Sequence, residues 1–278
     1  MKTLLVALLP DEDIDTSLDA AITIAHKHGS HIIGYMPIPG PILMPVASPM
    51  TMVPFDDTMR TRFREMLPTV KAAFEKRMTT EGLSFEFRSD EQTSLNLSLG
   101  IIAHARTSDL CIVQMWQSGG KVTADSVESV ADIVMASGRP VLALPSQTSR
   151  AFAYERVTVA WNASRESARA AFDSVSLLSK AAEVELVWIN PQDTPSGNVD
   201  IAGAEIATVL ARHDIKITDN PISSPSKAGP AIVEQAIRNA SDLLVIGAYG
   251  HSRLRERILG GATEYILRNP PCAILLSN

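Results

Sequence analysis

What this 278-residue chain lacks narrows its chemistry before anything it contains is considered. It has two cysteines, Cys111 and Cys272, each inside an apolar run, which excludes a disulfide framework and suits reduced thiols packed in a core. No apolar run approaches the roughly 18 residues that a membrane-spanning helix requires. Lys and Arg number 25 against 31 Asp and Glu, for a formal net charge of −6, and basic residues dominate neither half. No electrostatic footprint for nucleic acid or an anionic membrane follows from that balance. Catalytic signatures are missing too: there is no nucleophile elbow, no HExxH or CxxC, and no Walker lysine followed by Ser or Thr after a glycine loop.

What is present fits a cytoplasmic protein with a well-filled core, with 45% apolar and 20% charged residues. The opening Met1-Lys2-Thr3-Leu4-Leu5-Val6-Ala7-Leu8-Leu9-Pro10 is too short an apolar run for a signal peptide and meets carboxylates soon after, so it reads as a first strand. His26, His28 and His31 lie close in sequence, but His26 and His28 are two apart and do not share a helix face, so a solvated helix-end cluster is favoured over a zinc site. Asp11, Asp13 and Asp15 suit the positive end of a helix without invoking a metal.

The chain is a tandem duplication. Ser108-Asp109-Leu110-Cys111-Ile112-Val113 answers Ser241-Asp242-Leu243-Leu244-Val245-Ile246, and Arg139-Pro140-Val141-Leu142-Ala143-Leu144 answers Pro270-Pro271-Cys272-Ala273-Ile274-Leu275. The closing segments lie 31 residues after the shared aspartate in one copy (Asp109 to Pro140) and 29 in the other (Asp242 to Pro271). The opening runs Leu4–Leu8 and Val157–Trp161 match as well. Polar residues between Ser146 and Ala153 mark the joint, giving expected domains 1–147 and 148–278.

Each copy alternates short Val/Ile/Leu runs with helix-period stretches. Continuous apolar runs imply strands buried on both faces, so the expected fold is α/β: two tandem doubly wound, Rossmann-like domains, each a five-stranded mostly parallel sheet with helices on both faces. In the second copy the pattern predicts strands near 156–161, 184–189, 214–218, 242–247 and 272–276, and helices near 164–181, 199–212, 228–240 and 261–269. Ser164 is a helix cap, and Gly229-Pro230 begins another helix, where a proline lacks no partner. Val6 to Val113 spans 107 residues and Val159 to Ile246 spans 87; the extra 20 fall in a Pro/Met-rich segment, 37–57. Its repeated prolines exclude a regular helix, and its methionines are too apolar for a solvated linker. A surface cover over the core and a mobile lid or apolar-ligand site are both open readings.

The most informative tract is Val245-Ile246-Gly247-Ala248-Tyr249-Gly250, followed after nine residues by Gly260-Gly261-Ala262-Thr263. It reads as a buried strand entering a glycine-lined loop and then a helix start, an arrangement that lets backbone N–H groups and the helix's positive end approach a phosphate. This spacing resembles the G-x-x-G-x9-G-[S/T] nucleotide loop of the universal stress protein family, with Gly261 where that family has serine or threonine. The resemblance covers the whole chain, by motif in the second copy and by frame in the first.

The resemblance implies a cytoplasmic stress-response protein that binds an adenine nucleotide (ATP, ADP or AMP, with Mg²⁺ as an optional companion) in the second copy. The crevice lies where strand connections leave to opposite faces. Trp161, Asn162 and Ala163 line the first-strand turn, where the family commonly has aspartate-glycine. Ile189 offers an adenine wall, and Gly247, Gly250, Gly260, Gly261, Ala262 and Thr263 form the phosphate cradle, with His251 and Arg253 beside it. Asparagine keeps an acceptor oxygen but loses charge. In the first copy Gln114 and Gln117 stand where Gly247 and Gly250 do, so that half is not expected to bind ATP in the same manner. The closing strands are expected to pair within one chain as an internal pseudo-dimer, and a further homodimer is compatible with the family pattern. A slow ATP hydrolase, and a scaffold holding an apolar ligand under the Pro/Met segment, are the alternatives.

Overall fold

The computed structural model describes residues 1–10, 13–41, 43–45, 52–54, 57–119, 121–146, 152–190, 199–248 and 261–278. The chain divides into two compact units, Met1–Ile112 and Val113–Asn278.

The first unit runs β1 (Thr3–Ala7), α1 (Ile14–His28), β2 (His31–Ile38), β3 (Leu43–Pro45), β4 (Met52–Pro54), α2 (Thr58–Thr80), β5 (Phe85–Glu91), α3 (Ser98–Ala105) and β6 (Leu110–Met115), whose last residues cross into the second unit. β1 pairs in parallel with β2 and with β6, and β2 with β5. Leu4, Leu5, Val6, Ile32, Leu110 and Ile112 are buried, as runs enclosed on both faces of a parallel sheet must be. The Pro/Met segment contributes the antiparallel pair β3 and β4. The choice between cover and lid falls largely on residues outside those described.

A polar cluster ties β2, β5 and α3 together. The hydroxyl of buried Tyr35 donates to the Asp90 carboxylate, and Gln92 Nε2 donates to the Tyr35 oxygen at 3.1 Å. Burial first, and Asp90 second, push the Tyr35 hydroxyl well above its ordinary pKa. The His104 ring lies against Tyr35 with centroids 4.1 Å apart. Among the other histidines, His26 meets Glu81 at 3.2 Å and His31 meets Ser84 at 2.7 Å, so they face different partners.

The second unit continues with β7 (Gln117–Ser118), β8 (Lys121–Val122), α4 (Ala124–Ser137), β9 (Val141–Pro145), β10 (Arg156–Ala160), α5 (Arg165–Asp173), α6 (Val175–Leu178), β11 (Glu183–Ile189), α7 (Val199–Ala211), β12 (Ile217–Ile222), α8 (Ala228–Arg238), β13 (Leu243–Gly247), α9 (Gly261–Arg268) and β14 (Ala273–Ser277). Its strands lie in the order β12-β11-β10-β13-β14-β9. All neighbours are parallel except β14 with β9, where Ile274, Leu275 and Leu276 face Ala143, Leu142 and Val141. The closing strands of the two repeats thus pair, and β9 belongs to the second compact unit. α5 packs on β13 and β14, α7 on β12 and β11, and α8 on α9.

Two elements depart from the sequence expectation. The helix expected over 164–181 is broken into α5 and α6, because the Ser174 hydroxyl donates to the Ala171 carbonyl at 2.9 Å and competes with the backbone ladder. The strand expected at 214–218 is displaced to Ile217–Ile222, because Asp214 takes a left-handed φ of 61° and ends the preceding helix in a turn. The two duplicated aspartates do the same work. Asp109 Oδ2 accepts the amides of Lys2 and Thr3, and Asp242 accepts those of Glu155 and Arg156 at 2.8 and 3.2 Å, so each fixes the start of its repeat's first strand. Cys111 and Cys272 are free and buried, and burial pushes both thiols up to about 12.

Candidate functional site

The strand order reverses at β10 and β13: the chain leaves β10 toward β11 and leaves β13 toward β14. A doubly wound sheet opens a crevice at the carboxyl ends of the strands where such connections part. One of about 200 Å³ lies there. Of the residues expected from sequence, Trp161, Asn162, Ile189, Gly247, Gly261, Ala262 and Thr263 line it. Ala163 is in the same loop but outside the lining. Gly250, His251, Arg253 and Gly260 lie outside the described residues.

Local sequence explains how each wall is held. Trp161 N–H donates to the Val187 carbonyl at 2.8 Å, extending β10 along β11 by one residue. Asn162 Oδ1 accepts the Ser164 amide at 3.1 Å, a short polar turn that points the chain into α5. Ser164 caps α5, its hydroxyl accepting the Ser167 amide at 3.1 Å. Ala163, between them, has φ 57°, the left-handed region that favours glycine. Beyond Ile189, Asn190 bonds Ser224 twice, giving Nδ2 to its carbonyl at 2.9 Å and accepting its amide on Oδ1 at 2.8 Å. That pair closes the ends of β11 and β12 and fixes the Ile189 wall.

Gly247 is required by packing. A Cβ there would lie 2.5 Å from Glu166 C and Ser167 N, so the glycine lets the first turn of α5 rest on the end of β13. At Gly261, in contrast, nothing among the described residues lies within 4 Å of an added Cβ. Gly229 on α8 similarly faces Ala262 at 3.2 Å and helps seat α9. Thr263 is buried, 5% exposed, on the first turn of α9.

Sequence reasoning missed several walls: Ser164, Glu166 and Ser167 from α5, Ala228 and Ile232 from α8, and Ile266 from α9. A signal for Glu166 existed. It falls four residues before Ala170 on the apolar stripe of α5, an unusual place for a carboxylate unless that stripe faces a cavity. Among the described lining residues Glu166 carries the formal charge.

Residues 153–277 match the model of the universal stress protein family. This segment belongs to that family. A 48-residue stretch is 44% identical to universal stress protein Slr1230 of Synechocystis, and the match spans 17% of this chain and 17% of that relative's length. Across the chain, the fold is similar to the crystal structure of a universal stress protein from Archaeoglobus fulgidus, with 15% identity and a TM-score of 0.74 over 99% of this chain and 98% of that one. It is also similar to a Pseudomonas aeruginosa protein, with 17% identity and a TM-score of 0.66 over 100% of this chain and 93% of that one. At these identities the likeness is one of fold. The crevice and its lining fall within the matched segment. Among the described residues no helix is long and apolar enough to cross a membrane.

Proposed function

We propose that this protein binds an adenine nucleotide, ATP, ADP or AMP, in the crevice of its second repeat, 148–278, and acts in the cytoplasmic stress response through nucleotide-linked regulation. The observation that carries this reading is the convergence of Asn162, Ile189, Gly247, Gly261 and Thr263 on one crevice at the strand-order reversal. Apolar side chains, Ile189, Ile232 and Ile246, offer a wall to a base. The amino end of α9 offers backbone N–H groups and a positive partial charge to phosphate. Mg²⁺ is an optional companion of the nucleotide in this reading, hydrolysis is weak at most, and the first repeat, 1–147, is a partner that does not bind ATP in the same manner. Homodimerisation is part of the same proposal.

Titration calorimetry with ATP, ADP, AMP and GTP tests the reading. Saturable binding of adenine nucleotides in preference to GTP is expected. A Gly261→Ser variant meets no described residue with its side chain and regains a hydroxyl donor, so its affinity for ATP is expected to rise by about 2- to 12-fold, the equivalent of a hydrogen bond of about 0.5–1.5 kcal/mol. No saturable signal with any of the adenine nucleotides would sink the proposal.

A further inference from the structure

Glu166 is 8% exposed and lines the crevice, yet among the described residues the partner of its carboxylate is a rim contact: Arg165 Nε lies 3.2 Å from Oε1, and the Arg165 side chain is 77% exposed. Water screens that pair, and an ionised carboxylate accepts at about four lone-pair positions, so acceptor capacity is left over. Asn162, standing where the family has aspartate, is neutral and spends Oδ1 on the Ser164 amide. Trp161 Nε1, on the same lining, is buried without a hydrogen-bond partner among the described residues. The crevice therefore has an anionic acceptor on α5, an unpaired N–H at the end of β10, and isoleucine side chains between elements.

These features orient a ligand. A phosphate is repelled by the carboxylate and attracted to the amino end of α9, so the end that meets Glu166 must be neutral and rich in O–H donors. A vicinal diol matches the two oxygens of a carboxylate, which is how an acidic residue holds ribose in doubly wound nucleotide sites generally. Resting on the nucleotide reading above, we infer that Glu166 accepts the ribose hydroxyls of the bound nucleotide and supplies the anionic acceptor that Asn162 does not. Glu166 is thereby the residue that separates ribonucleotides from deoxyribonucleotides.

The test is calorimetric titration of the full chain with ATP, 2′-deoxy-ATP and 3′-deoxy-ATP, for the wild type and Glu166→Gln. The wild type is expected to bind ATP at least about tenfold more tightly than either deoxy analogue, the strength of one hydrogen bond to a charged group. In Glu166→Gln that ratio is expected to fall below about threefold, with affinity for the deoxy analogues nearly unchanged. Should the glutamine variant fail to fold, Glu166→Asp, which withdraws the carboxylate by one methylene, is expected to lower the ratio as well. Equal wild-type affinity for ATP and the deoxy analogues overturns the inference and leaves nucleotide binding standing. A ratio unchanged in the folded variant also overturns it, by assigning the diol to another group. Failure of all three ligands to bind the wild type removes the nucleotide reading, and this inference with it.

Discussion

Gly247 and Glu166 touch backbone to backbone: a Cβ on the glycine would lie 2.5 Å from the carbonyl carbon of Glu166 and 2.8 Å from its oxygen. The contact joins the end of β13 to the first turn of α5, and both elements wall the crevice. Neither partner in the clash is a side chain that can rotate away. Gly247→Ala therefore has to push α5 off the sheet.

The expected cost of Gly247→Ala is about 1–3 kcal/mol, the range for overpacking a filled interior. Urea denaturation of the wild type and variant measures it. An unchanged midpoint would show that α5 is seated less closely than the contact implies. Because the same contact shapes the crevice, ligand affinity is expected to fall with stability.

Ala163→Gly is expected to act in the opposite direction. Ala163 holds φ 57°, and the left-handed conformation costs an L-residue with a Cβ about 1–2 kcal/mol. Glycine removes that strain and loses part of the gain to its greater freedom in the unfolded chain, leaving a net stabilisation of up to about 1 kcal/mol. Thermal and urea midpoints that fall instead would mean that the methyl group contributes packing that outweighs the strain. Glycine is also what the resembled family commonly carries at this turn, which fits the same backbone requirement.

The first unit is expected to lose stability on acidification through His104. Burial first holds its pKa below the ordinary 6.5, the nearby Arg88 guanidinium lowers it further, and Asp90 and Glu86 oppose the shift. Its neutral Nδ1 stands 3.4 Å from Arg88 Nη1, and its ring lies on Tyr35. Since the folded pKa lies below the unfolded one, the unfolded chain takes the proton first as pH falls. The contribution is present above about pH 6.5 and is lost as pH drops through the folded pKa. Denaturation midpoints at pH 7.5 and 5.5 should separate more for the wild type than for His104→Asn; equal separations would remove His104 as the cause.

Much of the fold is legible in order of appearance along the chain. Continuous runs such as Leu243–Gly247 are buried on both faces because their composition leaves no polar side to expose, and that alone calls for a parallel sheet between helices. The paired aspartates, Asp109 and Asp242, mark the duplication because both repeats need the same anchor for a first strand. The glycine at 247 was legible as special, but its reason was not. Spacing pointed to a phosphate, whereas the immediate cause is the backbone of α5, a neighbour 81 residues away in sequence.

The sequence by itself determined the repeat, the strand and helix order, and the turn residues, because periodicity, caps and breakers act over a few positions and need no distant partner. Tertiary structure decided that Glu166 lines the crevice, that Asn162 gives its oxygen to Ser164, and that a Cβ at Gly261 meets none of the described residues while one at Gly247 meets the backbone of α5. Those outcomes depend on which surfaces meet when α5, β13 and α9 pack. Two glycines look alike in a string of letters and differ only in what stands where a side chain would go.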